Sequence, residues 1–341
     1  MRYFVIVLGL IVVLCAGAVL FSKRGTEPVP GSQKLEVVAT IFPIADWLRE
    51  IGGPDIEVHC LVSGGANPHH FEPSINDALR ISRARAVFAI GLGLDMWAEK
   101  LLKNSQNGNS TSYFTTGTWI VPRTFGEQTI TIAPVATSAI HHGHDDHDGD
   151  GDGDEHDGHH HHHELGDADP HYWLDPVRAQ TVVARMADEL SKLDPAHRED
   201  YTHRAQAYVE TLQTLAGEVE LEAQAMPKGR KVVTFHDAYG YLLERLGVKL
   251  AAVVQVSPGI DPSPRDVSEA LRIMREIGQR TVFTEPTENV GAARVVAGEL
   301  GGEVKLLDPM DSEVSEAGKT YVERLRHNIA VITKALRPEN K

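Results

Sequence analysis

Histidines carry the most distinctive chemistry in this chain. His171 sits in Asp169-Pro170-His171-Tyr172-Trp173-Leu174-Asp175-Pro176, an imidazole between two Asp-Pro dipeptides and beside aromatic side chains, which marks ordered structure. Just upstream, residues 141–163 hold ten histidines (His141, His142, His144, His147, His156, His159, His160, His161, His162 and His163) and eight carboxylates among glycines. Such a run has no apolar surface to bury and is expected to be a solvated, disordered loop. Its imidazoles are borderline donors that suit zinc, copper or nickel and would hold such ions weakly, without a preset geometry. A purification tag is a poor explanation, since the run is internal and mixed with aspartate. Three further residues fall where an open α/β sheet presents ligands, just beyond strand ends. His69 follows the strand ending near Val62, His236 follows Val232-Val233-Thr234-Phe235, and Asp308 follows Val304-Lys305-Leu306-Leu307. Three imidazoles and one carboxylate make a tetrahedral zinc shell, with bonds of about 2.0–2.2 Å. Any one of these positions has a plain structural alternative; Asp308, for example, precedes Pro309 and suits a turn cap.

The elements that must position these residues are legible as an alternation of strands and helices. Residues 35–40 read as a short buried strand, followed by a helix with Ile44, Trp47, Leu48 and Ile51 on one face and stopped by Gly52-Gly53. Ile56 to Val62 reads as a second strand, leading into Ser63-Gly64-Gly65-Ala66-Asn67-Pro68-His69-His70-Phe71-Glu72-Pro73; a helix around Ala78, Leu79 and Ile81 and a strand at residues 86–90 follow. Residues 104–126 carry no clear pattern. Residues 177–193 are an amphipathic helix, and a longer periodic stretch covers roughly 195–225, about 45 Å at 1.5 Å per residue. The pattern predicts an α/β fold with largely parallel sheets.

The second half repeats the first. Val37 through Gly52 aligns without a gap to Val232 through Gly247, Val62–Pro68 matches Val256–Pro262, Ala78–Ile81 matches Ala270–Ile273, and residues 86–88 match 281–283. Two similar α/β lobes bridged by a long helix are therefore expected. The expected organisation is a leader at 1–22, a tether at 23–33, an N-terminal lobe at 34–194, a connecting helix at 195–226 and a C-terminal lobe at 227–341. His69 and His236 stand at different offsets within their repeats, so each lobe contributes from its own loops to one cleft.

The net charge of the 341 residues is −15, of which the histidine-rich run supplies −8, leaving about −7 for the rest. That balance excludes a basic nucleic-acid surface and suits a cationic ligand. Residues 3–22 are apolar after Arg2, and Ala16-Gly17-Ala18 offers a small-residue cleavage site. This reads as an export signal, with an uncleaved membrane anchor as the alternative, since the run is long enough to span a bilayer. The two cysteines are Cys15, inside that run, and Cys60, so a processed chain forms no internal disulfide.

Taken in order, Ala66-Asn67-Pro68-His69 with Glu72-Pro73, the Asp169–Pro176 stretch, Phe235-His236-Asp237-Ala238-Tyr239-Gly240-Tyr241 and Leu307-Asp308-Pro309 resemble the metal-binding solute-binding proteins of ABC transporters, the cluster A-I family, in its ZnuA-type zinc branch. The resemblance covers roughly residues 36–338. It implies two pseudo-symmetric lobes with central parallel sheets flanked by helices, one long rigid connecting helix, and one metal in the cleft between the lobes. It implies that His69, His171 and His236 are ligands, with His69 rather than its neighbour His70 matching the motif. It places Asp308 at a position that is the fourth ligand in some members and is replaced by water or a neighbouring carboxylate in others. The manganese branch usually has glutamate where this chain has His236, which favours Zn2+. The implied protein is a monomeric extracytoplasmic carrier that hands zinc to a membrane permease and is not an enzyme. Two alternatives stay open on the residues alone: a manganese or iron carrier of the same class, and a three-histidine zinc hydrolase or lyase, for which Asp237 or Glu285 would be the base.

Overall fold

The computed structural model describes residues 34–105, 110–125, 167–255 and 261–337. The expected leader and tether, the histidine-rich run at 141–163, and residues 256–260 of the second loop match lie outside the described residues.

Strand β1 (Leu35–Ala39) leads into helix α1 (Phe42–Gly52), which has Pro43 in its first turn, where the missing N–H costs nothing. Gly53 follows at φ 55°, a left-handed conformation that ends the helix. Strand β2 (Ile56–Cys60), helix α2 (Ile75–Arg83), strand β3 (Ala86–Ala89), helix α3 (Met96–Lys103) and strand β4 (Ser112–Thr115) complete the first half. All pairings are parallel, in the order β2-β1-β3-β4. Two long helices follow. Helix α4 (Pro176–Leu193) is capped by Asp175, whose carboxylate accepts the Val177 N–H at 2.9 Å. Helix α5 (Arg198–Ala225) is 28 residues long and runs unbroken through Gly217, which makes it about 42 Å. Its start differs slightly from the sequence reading: Pro195–His197 forms a separate 3₁₀ turn ahead of it.

The second half comprises β5 (Lys231–Thr234), α6 (Gly240–Arg245), β6 (Lys249–Val253), α7 (Pro264–Ile277), β7 (Val282–Thr284), α8 (Val290–Gly298), β8 (Val304–Leu306) and α9 (Tyr321–Leu336). Its sheet is also all parallel, in the order β6-β5-β7-β8. The repeat in the sequence is thus a repeat in topology, with the leading strand second in its sheet both times. Even a capping device recurs. Ser74 and Asp77 close a reciprocal capping box before α2, as Ser263 and Asp266 do before α7.

Side-chain alternation along the strands splits the core. Val37 and Ala39 of β1, and Val232 of β5, face a central core that also takes in α1, α4, α5 and α9, through Trp47, Val183, Leu212 and Leu325 among others. Val38 faces the opposite way into a small outer core with Leu61, Ile81, Val87 and Leu102. Val233 does the same in the second half, with Phe235, Ile273, Met274, Val282 and Val296. The two sheets are therefore joined by one continuous apolar layer, and α5 lies within it. Cys60 is buried and unpaired, and its burial raises its pKa.

Candidate metal centre

Each histidine of the expected set is held by local structure that the sequence dictates. His69 lies in a 3₁₀ turn, Pro68–His70, entered from Asn67, whose side-chain oxygen accepts the His69 N–H at 2.9 Å. The Trp97 indole donates to Pro68 O at 3.2 Å and pins the same turn. His171 is fixed twice by one carboxylate: Asp169 Oδ1 lies 2.9 Å from its backbone N and 2.9 Å from its ring Nδ1. The other oxygen of Asp169 accepts from Arg123 Nη1 at 3.0 Å. An imidazole anchored through Nδ1 presents Nε2 to a ligand in a fixed direction, and the carboxylate makes that nitrogen a better donor. His236 stands between β5 and α6, with Nδ1 at 3.2 and 3.3 Å from the two oxygens of Glu285, just after β7. Its Nε2 is buried without a hydrogen-bond partner.

The three rings form a nearly equilateral triangle. Centroids are 5.4 Å apart for His69–His171, 5.4 Å for His69–His236 and 5.3 Å for His171–His236. One nitrogen from each lies within 4.8 Å of the other two. His69 Nε2 and His171 Nε2 are 3.3 Å apart. In a tetrahedron with metal–nitrogen bonds of about 2.0–2.1 Å, the nitrogens are separated by about 3.3–3.4 Å. The closest pair therefore already stands at the spacing of a zinc shell. The three residues are 9%, 2% and 4% exposed in chain order, so an ion among their rings would be withdrawn from bulk water.

Charge around the triad is acidic. Burial pushes Asp169 up to about 7 despite Arg123, and burial together with the nearby Asp169 charge pushes Asp237 up to about 7. Burial and the neighbouring His236 hold His171 well below the ordinary histidine range, so it is neutral and ready to ligate at neutral pH. A dication would relieve the crowding of buried carboxylates, whereas an anion would add to it.

A family model described as "zinc-uptake complex component A periplasmic" (ZnuA) matches residues 37–335. The chain belongs to this family. Its match takes in the triad and all but the first two residues of the two sheets. Among similar proteins, the zinc-binding lipoprotein AdcA of Streptococcus pneumoniae strain R6 is 27% identical over 322 residues, 94% of this chain and 58% of that protein. The chain thus spans little more than half the length of the AdcA relatives it matches. A putative metal-binding protein of Treponema pallidum strain Nichols is 28% identical over 330 residues, covering 95% and 96% of the two chains. Among solved structures, the laminin-binding protein Lmb of Streptococcus agalactiae, described as having adhesin and metal-transporting activity, is 27% identical with a TM-score of 0.71, covering 89% of this chain and all of that one.

In this ZnuA-family chain Asp308 is not among the residues grouped with the triad histidines within 4.8 Å. It follows β8, as its sequence position implies, but its Oδ1 accepts the Met310 N–H at 2.8 Å and its Oδ2 accepts the Ser315 hydroxyl. Arg324 Nε lies 3.7 Å away. The carboxylates grouped with His236 among the described residues are Glu285 and Glu288, not Asp308. Sequence reasoning named Glu285 only as a conceivable base and did not name Glu288 or Arg123. The signal for Glu285 was available, since it follows Phe283-Thr284 at a strand end. For Arg123 there was none, because it lies in the unpatterned 104–126 stretch. His70, adjacent to His69, is exposed.

Proposed function

We propose that this chain captures one zinc ion outside the cytoplasm and delivers it to the permease of an ABC transporter. His69, His171 and His236 are the ligands in this reading. The observation that carries it is the triangle of buried imidazoles, with one pair at tetrahedral spacing and two of the three rings oriented by carboxylates on Nδ1. Three neutral nitrogen donors suit zinc better than manganese, which favours oxygen ligands. Asp308 is already engaged by Met310 and Ser315, so the fourth coordination position falls to solvent or a neighbouring carboxylate. A hydrolytic role is disfavoured by the same geometry: both oxygens of Glu285 are turned onto His236, away from any base position. The name of the family and the AdcA and Lmb resemblances support the carrier role and the extracytoplasmic location. The signal at 1–22, the weak ion-collecting role of residues 141–163 and the monomeric state are part of the same proposal.

The test is zinc affinity measured by competition with a chelating dye. His171→Ala and His236→Ala should each weaken the first equivalent of zinc by orders of magnitude, while manganese should compete poorly with zinc in the unmodified protein. Unchanged affinity in both variants would remove the triad as the site.

A further inference from the structure

His236 has two edges, and the triad uses only one. Glu285 stands on the Nδ1 edge, and one donor atom each from His236, Glu285 and Glu288 lie within 4.8 Å of one another. Gln255 joins this group: its Nε2 donates to Glu288 Oε2 at 2.9 Å, while its Oε1 is buried without a partner, in a residue only 3% exposed. Buried polar groups are nearly always satisfied, and such an exception beside two carboxylates and an imidazole asks for a ligand.

We infer that the second lobe holds a further divalent-cation site, formed by His236 Nδ1, Glu285, Glu288 and the Gln255 carbonyl oxygen, through which zinc passes on its way to or from the triad. This rests on the zinc-carrier reading above. The two carboxylates balance the charge of a dication, and one nitrogen with several oxygens makes a harder and weaker zinc site than three imidazoles. Zinc there would exchange faster than zinc in the triad. The two sites share one ring, and dications on its opposite edges repel, so occupancy alternates. When the ion takes Nδ1 it displaces the proton there to solvent and the ring keeps its Nε2 proton; when the ion moves to Nε2, that proton leaves to solvent and another returns to Nδ1, where it faces Glu285. The ring is neutral with either nitrogen bound.

The outer end of this path is Glu288, which is partly exposed, unlike Glu285 at 1%. Glu288 Oε1 accepts from Asn67 Nδ2 at 3.3 Å, and the other end of the same amide holds the His69 backbone. A cation arriving at Glu288 competes with Asn67 for the carboxylate. Its passage is therefore coupled to the brace on the His69 turn, which belongs to the other lobe.

Anomalous diffraction at the zinc edge from crystals of the full chain soaked in zinc alone separates the two readings. Unmodified protein should show a peak among the three rings, and its absence would defeat the carrier reading whatever happens elsewhere. His171→Ala weakens the triad and should move the peak to His236 Nδ1, Glu285 and Glu288, with bonds of about 2.0–2.2 Å. Adding Glu288→Gln should abolish that peak. An empty pocket in His171→Ala, or a peak that survives Glu288→Gln, overturns the second site. Glu288→Gln in the otherwise unmodified chain gives the kinetic check: zinc release to EDTA should slow by about tenfold. Equal release rates would overturn the passage.

Discussion

Zinc and a proton compete for His236, and the structure sets the terms. Burial by itself would hold this imidazole below the ordinary range, but Glu285 at 3.2 Å, with added pull from Glu288 and Asp237, outweighs burial and pushes it up to about 9. His171 is held well below the ordinary range by burial and needs no deprotonation. At neutral pH the metal-free protein therefore keeps one proton on His236 that zinc must expel. The sign follows: a raised pKa means competition below pH 9, growing tenfold with each unit of falling pH, and none above it. At pH 7 the gap is two pKa units, a penalty of about 3 kcal/mol or roughly a hundredfold in apparent affinity. Calorimetric titration of the first equivalent of zinc, in buffers of different ionisation enthalpy, reads the proton count directly. About one proton should leave per zinc at pH 7, with log affinity rising by about one per pH unit toward pH 9. In Glu285→Gln burial acts with less opposition, so proton release at pH 7 should shrink toward zero and the slope should flatten. No proton release from the unmodified protein, or an unchanged slope in Glu285→Gln, would refute this account of His236.

Three further outcomes follow from the same contacts. Asp169→Asn removes the carboxylate that orients His171 through both its backbone and its ring, and zinc affinity should fall by about 10–100-fold in chelator competition; an unaltered affinity would mean packing alone aims the ring. At Gly240, an added Cβ would stand 1.8 Å from Arg123 Nη1, the group that holds Asp169. Gly240→Ala should therefore lower stability by about 1–3 kcal/mol in urea, and full stability would show that Arg123 relocates freely. Burial pushes Asp46 up to about 6, so the native state keeps a proton that the unfolded chain loses above its ordinary 3.8. Stability should fall as pH rises from about 4 to about 6, by up to about 3 kcal/mol, and Asp46→Asn should remove that slope in urea unfolding; parallel pH profiles would contradict it.

The strands and most helices were legible because each half is a short hydrophobic run followed by a periodic helix, and because the halves repeat. Buried strands of parallel sheets read as near-continuous apolar runs, which Val37-Val38-Ala39 and Val232-Val233 are. Strand β4 escaped notice because Ser112–Thr115 carries only two apolar residues and is half-buried throughout. The three histidines stood out because each falls in a loop after a strand or beside Asp-Pro turns, and the structure brings them together. Asp308 occupies the expected strand end, but no spacing rule reveals that Met310 and Ser315 claim its oxygens. Glu288 and Arg123 depend on which loops face each other across the lobes, information held by packing rather than by local sequence.

The apolar layer shared by the two sheets has a consequence for how the molecule comes apart. A half-chain carrying either four-stranded sheet would possess every backbone pairing of that sheet and still expose one whole face of it. Val37, Ala39, Trp47 and Leu48 in one half, and Val232, Leu243 and Leu325 in the other, would meet water where they now meet common neighbours such as Leu212 and Leu215 of α5. Protection of the amides of β1 and β5 against hydrogen exchange should then be lost in a single step. Symmetry in this protein is a property of outline; its cooperativity is undivided.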